Sequence, residues 1–302
     1  MYNQIAANKR NTWFLVLAFI LFIAGFGFVV GLRVMGNQDG AIGFMGYFGI
    51  GAMAYALISY YASAKLTLAI SQAKPLEKKD SPELFNLVEN LSIATGLPTP
   101  KIYLIDDTAP NAFATGRDPS HAAITMTRGL VEKLDKPELE GVLAHELSHI
   151  QNYDIRLQCL IVALVGLIAL VSDLLLRSSF RSLGNSSSRR SRNGGGIMIL
   201  GLAMALLSPV IAKVMSLAIS REREYLADAS GALMTRHPEG LARALEKISN
   251  DPEPLEAANK ATAHLYIANP LRNQKDSQWL NKLFSTHPPM EERIKRLRSM
   301  GK

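Results

Sequence analysis

The chain has 302 residues, which is enough for one sizeable domain or two small ones, and it carries a formal net charge of +7. Hydrophobic residues make up 48% of it, and the mean hydropathy of +0.10 is high for a soluble protein. Its basic residues gather beside apolar runs, as anchoring to anionic lipid requires, so the charge predicts a bilayer partner and no nucleic acid. The single cysteine, Cys159, excludes an intramolecular disulfide.

Two uncharged apolar runs near the N-terminus, at about 13–32 and 41–64, are each long enough to cross a bilayer. The first run lacks a small-residue cleavage site and is too long for a removable signal peptide. Residues 1–70 are therefore predicted to form a membrane anchor of two transmembrane helices.

Two further apolar runs, at about 157–176 and 196–219, are less uniform. The earlier one is interrupted by Asp173, and the later one contains Pro209 and Lys213. These two runs predict either a membrane hairpin or a helical hairpin buried within the protein, and the sequence leaves both open.

The distribution of basic residues predicts the orientation in the membrane. Lys9 and Arg10 precede the first run and four lysines follow the second, whereas the turn between them carries only Arg33. The positive-inside rule then places the N-terminus and the hydrophilic region after residue 70 in the cytoplasm. A low-complexity loop at 177–195, predicted to be flexible, carries five arginines on the side that a full crossing would make external, so the hairpin's topology stays open.

The hydrophilic region begins with signals for a helix and a small sheet. Ser81-Pro82-Glu83 caps a helix that Gly96 ends, and residues 101–105 form a short strand. Residues 111–116 and 122–127 predict two strands of a hairpin. This hairpin is either a support for the core or an edge that binds an extended peptide by strand addition, near Asn111 and Ala112.

The central motif is His145-Glu146-Leu-Ser-His149, within an apolar stripe that predicts a helix. Residues four apart lie on one helix face, so His145 and His149 present two imidazoles to one point. Such a pair suits a divalent metal, zinc first. Glu146 projects about 100° around the helix, where it misses the metal but reaches a water bound there, as a general base would. The helix is expected to begin near Pro137 and to run on into the third apolar run.

Catalytic zinc takes three protein ligands and keeps one position for water. A third histidine six residues after His149 is absent, because Ile155 stands there. Glu222 and Glu224 are the candidates on a later helix, and spacing does not choose between them. If Glu224 is the ligand, Asp228 lies one turn on, where it can accept the free N–H of a zinc-bound histidine.

His-Glu-x-x-His followed by Arg-Glu-Tyr-Leu-Ala-Asp228 resembles the HtpX-like membrane zinc endopeptidases, relatives of the CAAX prenyl proteases. The resemblance covers nearly the whole chain, including the string that begins at Asn111. It implies that Glu224 is the ligand, since in that family the glutamate four residues before the aspartate holds the zinc. It also implies that substrates are misfolded or damaged membrane proteins, in quality control and stress response at the prokaryotic inner membrane.

His287-Pro-Pro-Met-Glu-Glu-Arg293 resembles a family motif whose histidine and arginine face the catalytic cleft. Taken alone, a histidine before prolines is usually a turn residue and an arginine on a basic helix is usually solvated. The resemblance implies that His287 hydrogen-bonds the substrate or the developing oxyanion, with Arg293 in support.

The predicted fold class is mainly α with a small β-sheet, a zincin-like α+β domain combined with transmembrane helices. The metalloprotease domain is predicted in two parts, residues 71–156 and 221–302, separated by a membrane hairpin at 157–220. The predicted function is that of a zinc endopeptidase with one Zn²⁺ per chain and protein or peptide substrates.

The sequence is less consistent with three alternatives. A substrate-specific processing protease of the CAAX type would be expected to have more membrane spans. A catalytically idle scaffold has no need for His145, Glu146, His149 and Glu224 together. A metal transporter would carry its acids and histidines within the apolar runs, where only Asp173 lies.

Overall fold

A computed structural model describes residues 2–164, 166–167, 177, 221–257, 262–270 and 288–301. Over these residues the protein is mostly helical with one small mixed sheet, which confirms the predicted fold class. The predicted hairpin run at 196–219 lies outside the described residues, as do almost all of the 177–195 loop and the later part of the run at 157–176.

The predicted anchor consists of two long helices, α1 (Tyr2–Met35) and α2 (Gln38–Ile70), which pack against each other. Both are long and apolar enough to cross a membrane, and they contain the two predicted runs. Asn37 caps α2 by accepting the N–H of Gly40.

The sheet has four strands in the order β1 (Lys74–Pro75), β2 (Lys101–Ile105), β4 (Ala122–Thr127) and β3 (Ala112–Gly116). β2 and β4 run parallel, whereas the pairs β1–β2 and β3–β4 are antiparallel. The predicted hairpin is therefore present, and β3 is at the edge of the sheet. Before β2 lies α3 (Pro82–Thr95), which ends where Gly96 adopts a left-handed φ of 69°.

After the sheet come the short α4 (Arg128–Lys133) and then α5 (Lys136–Gln151), which carries the His-Glu-x-x-His motif. A capping box starts α5, since the Asp135 carboxylate accepts the N–H of Glu138 and the Glu138 carboxylate accepts the N–H of Asp135. The expectation that this helix continues into the third apolar run is wrong. It ends at Gln151, and Tyr153 has a φ of 61°, which breaks the helical path. A new helix, α6, starts at Asp154, and its described part reaches residue 164.

The remaining described helices are α7 (Arg221–Thr235), α8 (Pro238–Asn250) and α9 (Met290–Met300). α5 packs against α7 and α8, and one hydrophobic core joins residues from both sides of the 157–220 segment. A second apolar cluster joins α1 and α2 to α6. The motif helix α5 is thus enclosed by elements that are far apart in the sequence.

Candidate metal centre

Three buried side chains converge between α5 and α7: His145, His149 and Glu224. The Nε2 atoms of the two histidines are 3.2 Å apart. Glu224 Oε2 lies 3.8 Å from His145 Nε2, and Glu224 Oε1 lies 3.6 Å from His149 Nε2. His145 and His149, which the i, i+4 spacing places on one face of α5, therefore meet a carboxylate from a second helix, α7.

The structure distinguishes Glu224 from Glu222, the two candidates for the third ligand that spacing alone left open. Glu224 is 1% exposed and faces α5, whereas Glu222 is exposed on the other side of α7. The close approach of the two helices depends on Gly231, since a Cβ there would lie 3.0 Å from the backbone N of His145.

Each histidine has a carboxylate at its other ring nitrogen. His145 Nδ1 lies 3.0 Å from Asp228 Oδ1, the partner that the sequence predicted. Asp228 is in turn held by Arg293, whose Nε and Nη2 donate to its two carboxylate oxygens at 2.8 Å and 2.7 Å. Although burial works in the opposite direction, Arg293 and His145 lower the pKa of Asp228 to about 2.

The partner of His149 is Asp154, which sequence reasoning missed as a site residue. His149 Nδ1 lies 2.9 Å from Asp154 Oδ2. Burial alone would lower the pKa of His149, but Asp154 and Glu224 outweigh it and raise that pKa to about 9. The missed signal was that a metal-ligating histidine nearly always needs an acceptor at its second nitrogen. A straight helix through residue 154 could not supply one, whereas the turn at Tyr153 does.

Glu146 follows His145 on α5 and is also buried. Its carboxylate accepts a hydrogen bond from the backbone N–H of Ala114 on the edge strand β3. Burial raises the pKa of Glu146, opposed in part by the two neighbouring histidines. A carboxyl with a raised pKa beside a polar centre is well matched to taking up and releasing a proton.

Asn111 and Ala112 contact another segment of the chain itself: Asn111 bonds to Ala268, and Ala112 bonds to Ile267. The Asn111 side chain donates to the carbonyl of Ala268 at 3.1 Å, and the Ala112 carbonyl accepts from the N–H of Ile267 at 2.9 Å. Substrate contact at this pair stays a prediction.

Arg293 is fully buried, with a third hydrogen bond from its Nη1 to the carbonyl of Ile267 at 3.1 Å. Arg293 is therefore not solvated, and its Nη2 lies 3.4 Å from His145 Nε2, beside the centre. His287 lies outside the described residues.

The donor set fits a divalent cation. Ligand atoms about 2.0–2.2 Å from a tetrahedral zinc ion lie about 3.3–3.6 Å from one another, close to the separations of 3.2 Å, 3.6 Å and 3.8 Å found here. Two imidazoles and one carboxylate are ligands that zinc accepts. Among the described residues, the charged side chains buried around the centre are two arginines, Arg223 and Arg293, and four carboxylates, Glu146, Asp154, Glu224 and Asp228. With neutral histidines, the formal charge of the centre is therefore −2. A bound divalent cation balances that charge.

An α+β scaffold with this arrangement of two histidines and a glutamate, and a second glutamate beside the first histidine, defines the class of the metallopeptidases. The sequence profile of Peptidase family M48 matches residues 78–301. The chain belongs to this family, which confirms the resemblance seen in the sequence.

Relatives match along the whole chain. A "Protease HtpX homolog" of Tropheryma whipplei is 46% identical over 301 residues, covering 100% of this chain and 99% of that protein. Homologues of the same name from Dictyoglomus turgidum and Listeria monocytogenes are 47% and 42% identical, cover 99% of this chain, and are themselves covered over 95% and 100% of their length. By family the protein is thus a metalloprotease, and its helices α1 and α2 are long and apolar enough to cross a membrane.

The fold is similar to that of a solved structure. Ste24p of S. mikatae aligns with a TM-score of 0.50 at 22% sequence identity, over 96% of this chain. This chain spans 66% of the Ste24p chain, and at 22% identity the likeness concerns the fold alone.

Proposed function

We propose that the protein is a membrane-anchored zinc endopeptidase in which His145, His149 and Glu224 hold one Zn²⁺ and Glu146 is the general base. The observation that carries this proposal is the convergence of the three side chains at 3.2–3.8 Å in a buried site, with Glu146 next to His145 on the same helix.

Zinc, when bound, lowers the pKa of a water molecule that it carries and polarises the scissile carbonyl. Glu146 takes a proton from the attacking water and delivers it to the leaving amine, a role for which its raised pKa is suited. Asp228 and Asp154 fix the two imidazoles with Nε2 towards the centre. Arg293, which is bonded to Asp228, is a positioning residue, and His287 remains the candidate for contact with the substrate or the oxyanion.

The edge strand β3 is the proposed place for the substrate backbone. Ala112 and Ala114 turn their backbone groups to the open side of β3, where they bond to Ile267 and Glu146. An extended substrate that pairs with β3 takes the place of Ile267 at the Ala112 carbonyl and lies next to Glu146. Asn111 and Ala112 are therefore proposed as substrate-binding residues.

We propose misfolded or damaged membrane proteins as substrates, cleaved on the cytoplasmic side of the inner membrane, with a role in protein quality control. Two features support this: the apolar helices α1 and α2, and the full-length match to HtpX homologues. The basic residues that flank the apolar runs support the cytoplasmic orientation.

The test is a casein digestion with detergent-purified wild type and Glu146→Gln, each with its bound zinc quantified. We expect about one zinc per chain in both proteins, as a single three-ligand site holds, and digestion by wild type alone. The Glu146→Gln replacement removes the base but leaves the three ligands in place, so the variant should keep its zinc and lose its activity.

A matched pair of variants tests the third ligand. Glu224→Gln is expected to lose its zinc, whereas Glu222→Gln, two residues away and exposed, keeps both zinc and activity. Wild type without zinc would overturn the ligand set, and digestion by Glu146→Gln would overturn the role of the base.

A further inference from the structure

We infer that Asn8, on the first anchor helix, is a positioning residue for the metal ligand His149, so that the metal centre depends on the membrane anchor. This inference rests on the proposed zinc site. Asn8 is only 2% exposed, although its neighbours Lys9 and Arg10 are exposed. It also lies far outside the stretch 78–301 that the family profile matches.

Asn8 reaches His149 through a single carboxylate. Its Nδ2 donates to Asp154 Oδ1 at 2.6 Å, and the other oxygen of Asp154 is 2.9 Å from His149 Nδ1. The same Nδ2 donates to the carbonyl of Asn152 at 2.9 Å. Asn8 therefore spans the turn between α5 and α6, where Tyr153 adopts its left-handed φ of 61°.

Asn8 also contacts the helix that supplies the third ligand. Its Oδ1 accepts a hydrogen bond at 2.9 Å from Nη1 of Arg223, the residue before Glu224 on α7. Arg223 Nη1 lies 3.7 Å from Asp154 Oδ1. One side chain of the anchor thus joins both of the helices that carry metal ligands.

The chemistry requires an amide at this position. The side-chain amide of Asn8 donates both of its N–H groups, to Asn152 and Asp154, and its oxygen accepts from Arg223. An aspartate has the same shape, but it would set two carboxylates against each other at the 2.6 Å contact. Asp154 would then turn away and leave His149 without its acceptor.

The test measures zinc affinity, by competition with a chelator, in the full-length protein in detergent. All proteins carry Glu146→Gln, so that proteolysis does not interfere. Replacing partners that orient a metal ligand typically weakens metal binding 10–100-fold, so Asn8→Asp is expected to bind zinc at least about tenfold more weakly than its parent. The control is Thr12→Val, which removes a buried hydrogen bond of 2.8 Å one turn further along the same helix, to the Asn8 carbonyl. It should leave the affinity unchanged.

A partial rescue separates positioning from mere loss of structure. In the double variant Asn8→Asp/Asp154→Asn, the donor and the acceptor between residues 8 and 154 are exchanged and a hydrogen bond can form again. The penalty for Asn8→Asp should therefore shrink when position 154 is Asn, whereas a general structural defect would give equal penalties in both backgrounds. The visible spectrum of the cobalt-substituted protein should change for Asn8→Asp and not for Thr12→Val.

The outcomes are distinct. If the parent protein itself binds no zinc, the proposed zinc site fails. If the parent binds zinc and Asn8→Asp binds it equally well, the inference about Asn8 is wrong and the zinc site stands. If Asn8→Asp does not fold, Asn8→Ala, which adds no charge, takes its place and faces the same criterion.

Discussion

At the scale of single residues, the centre is defined by how its charges are neutralised. Asp228 lies between a cation on one side and an imidazole on the other, with Arg293 bonded to both of its oxygens and His145 Nδ1 at 3.0 Å. Asp228, Arg293 and His145 are almost completely buried. A buried ion pair adds little compared with an apolar pair, but removing one partner leaves an uncompensated charge.

We predict that Asp228→Asn lowers the free energy of unfolding by about 3–5 kcal/mol, the usual cost of breaking a buried pair. The reason is that the Arg293 guanidinium keeps its charge but loses its carboxylate. Thermal unfolding in detergent, followed by circular dichroism, measures the effect.

The control for this prediction is Arg298→Gln, on the same helix as Arg293. Arg298 forms exposed ion pairs with Glu246 and Glu239, so its replacement should barely change the midpoint of thermal unfolding. Adding Arg293→Met to Asp228→Asn should recover part of the loss. An Asp228→Asn protein with the same melting temperature as the wild type would contradict the prediction.

At the scale of elements, the centre depends on how closely α5 and α7 approach. A glycine lies at each of the two contacts that α5 makes: Gly231 of α7 packs on His145, and Gly141 of α5 packs on α8. A Cβ at Gly231 would lie 3.0 Å and 3.2 Å from backbone atoms of His145 and 3.3 Å from the backbone of Ala144, so these neighbours would have to move by a few tenths of an ångström. Backbone has little freedom to give way, so one methyl group would push the helices apart.

We predict that Gly231→Ala weakens zinc binding and lowers the free energy of unfolding by about 1–3 kcal/mol, the usual cost of overpacking. Glu224 would move away from the two histidines together with α7. Isothermal competition with a chelator gives the affinity, and thermal unfolding gives the stability.

Gly141→Ala is the matched control for Gly231→Ala. Its Cβ would lie 2.7 Å from the backbone N of Leu241 on α8, which carries no ligand of the centre. It should therefore lose stability without a comparable loss of zinc affinity. Equal losses of affinity in both variants would show that the distance between α5 and α7 is not what matters.

Whether the sequence predicted a contact of the centre depended on how far apart in the chain the two residues lie. His145 and His149 lie on one helix, so the repeat of that helix was enough to bring them together. Glu222 and Glu224 are both on α7, and only the rotation of α7 against α5 decides which of them is buried. Asp154 was missed because its position depends on the left-handed turn at Tyr153, an unusual conformation for a residue with a side chain.

At the scale of the whole molecule, contacts across long stretches of sequence hold the centre together. The bonds from Arg293 to Asp228 and from Asn8 to Asp154 join residues 65 and 146 positions apart. Such pairs leave no periodic signal, so the sequence could indicate the residue types but not their partners. Because the centre is built from α1, α5, α6, α7 and α9, a bound metal would stabilise the fold as a unit.

We therefore predict that removing the metal lowers the melting temperature of the full chain. A ligand present at 100 times its dissociation constant stabilises the native state by about 2.7 kcal/mol, which corresponds to a shift of about 4 °C for a protein of 302 residues. The measurement is thermal unfolding of the Glu146→Gln protein with zinc, with a chelator, and after zinc is restored. The Glu146→Gln/Glu224→Gln protein is the control, and its midpoint should not respond to the chelator because it lacks the third ligand. A chelator effect of equal size in both proteins would place the stabilising metal elsewhere, and no effect in either would mean that the helices hold the centre without a metal.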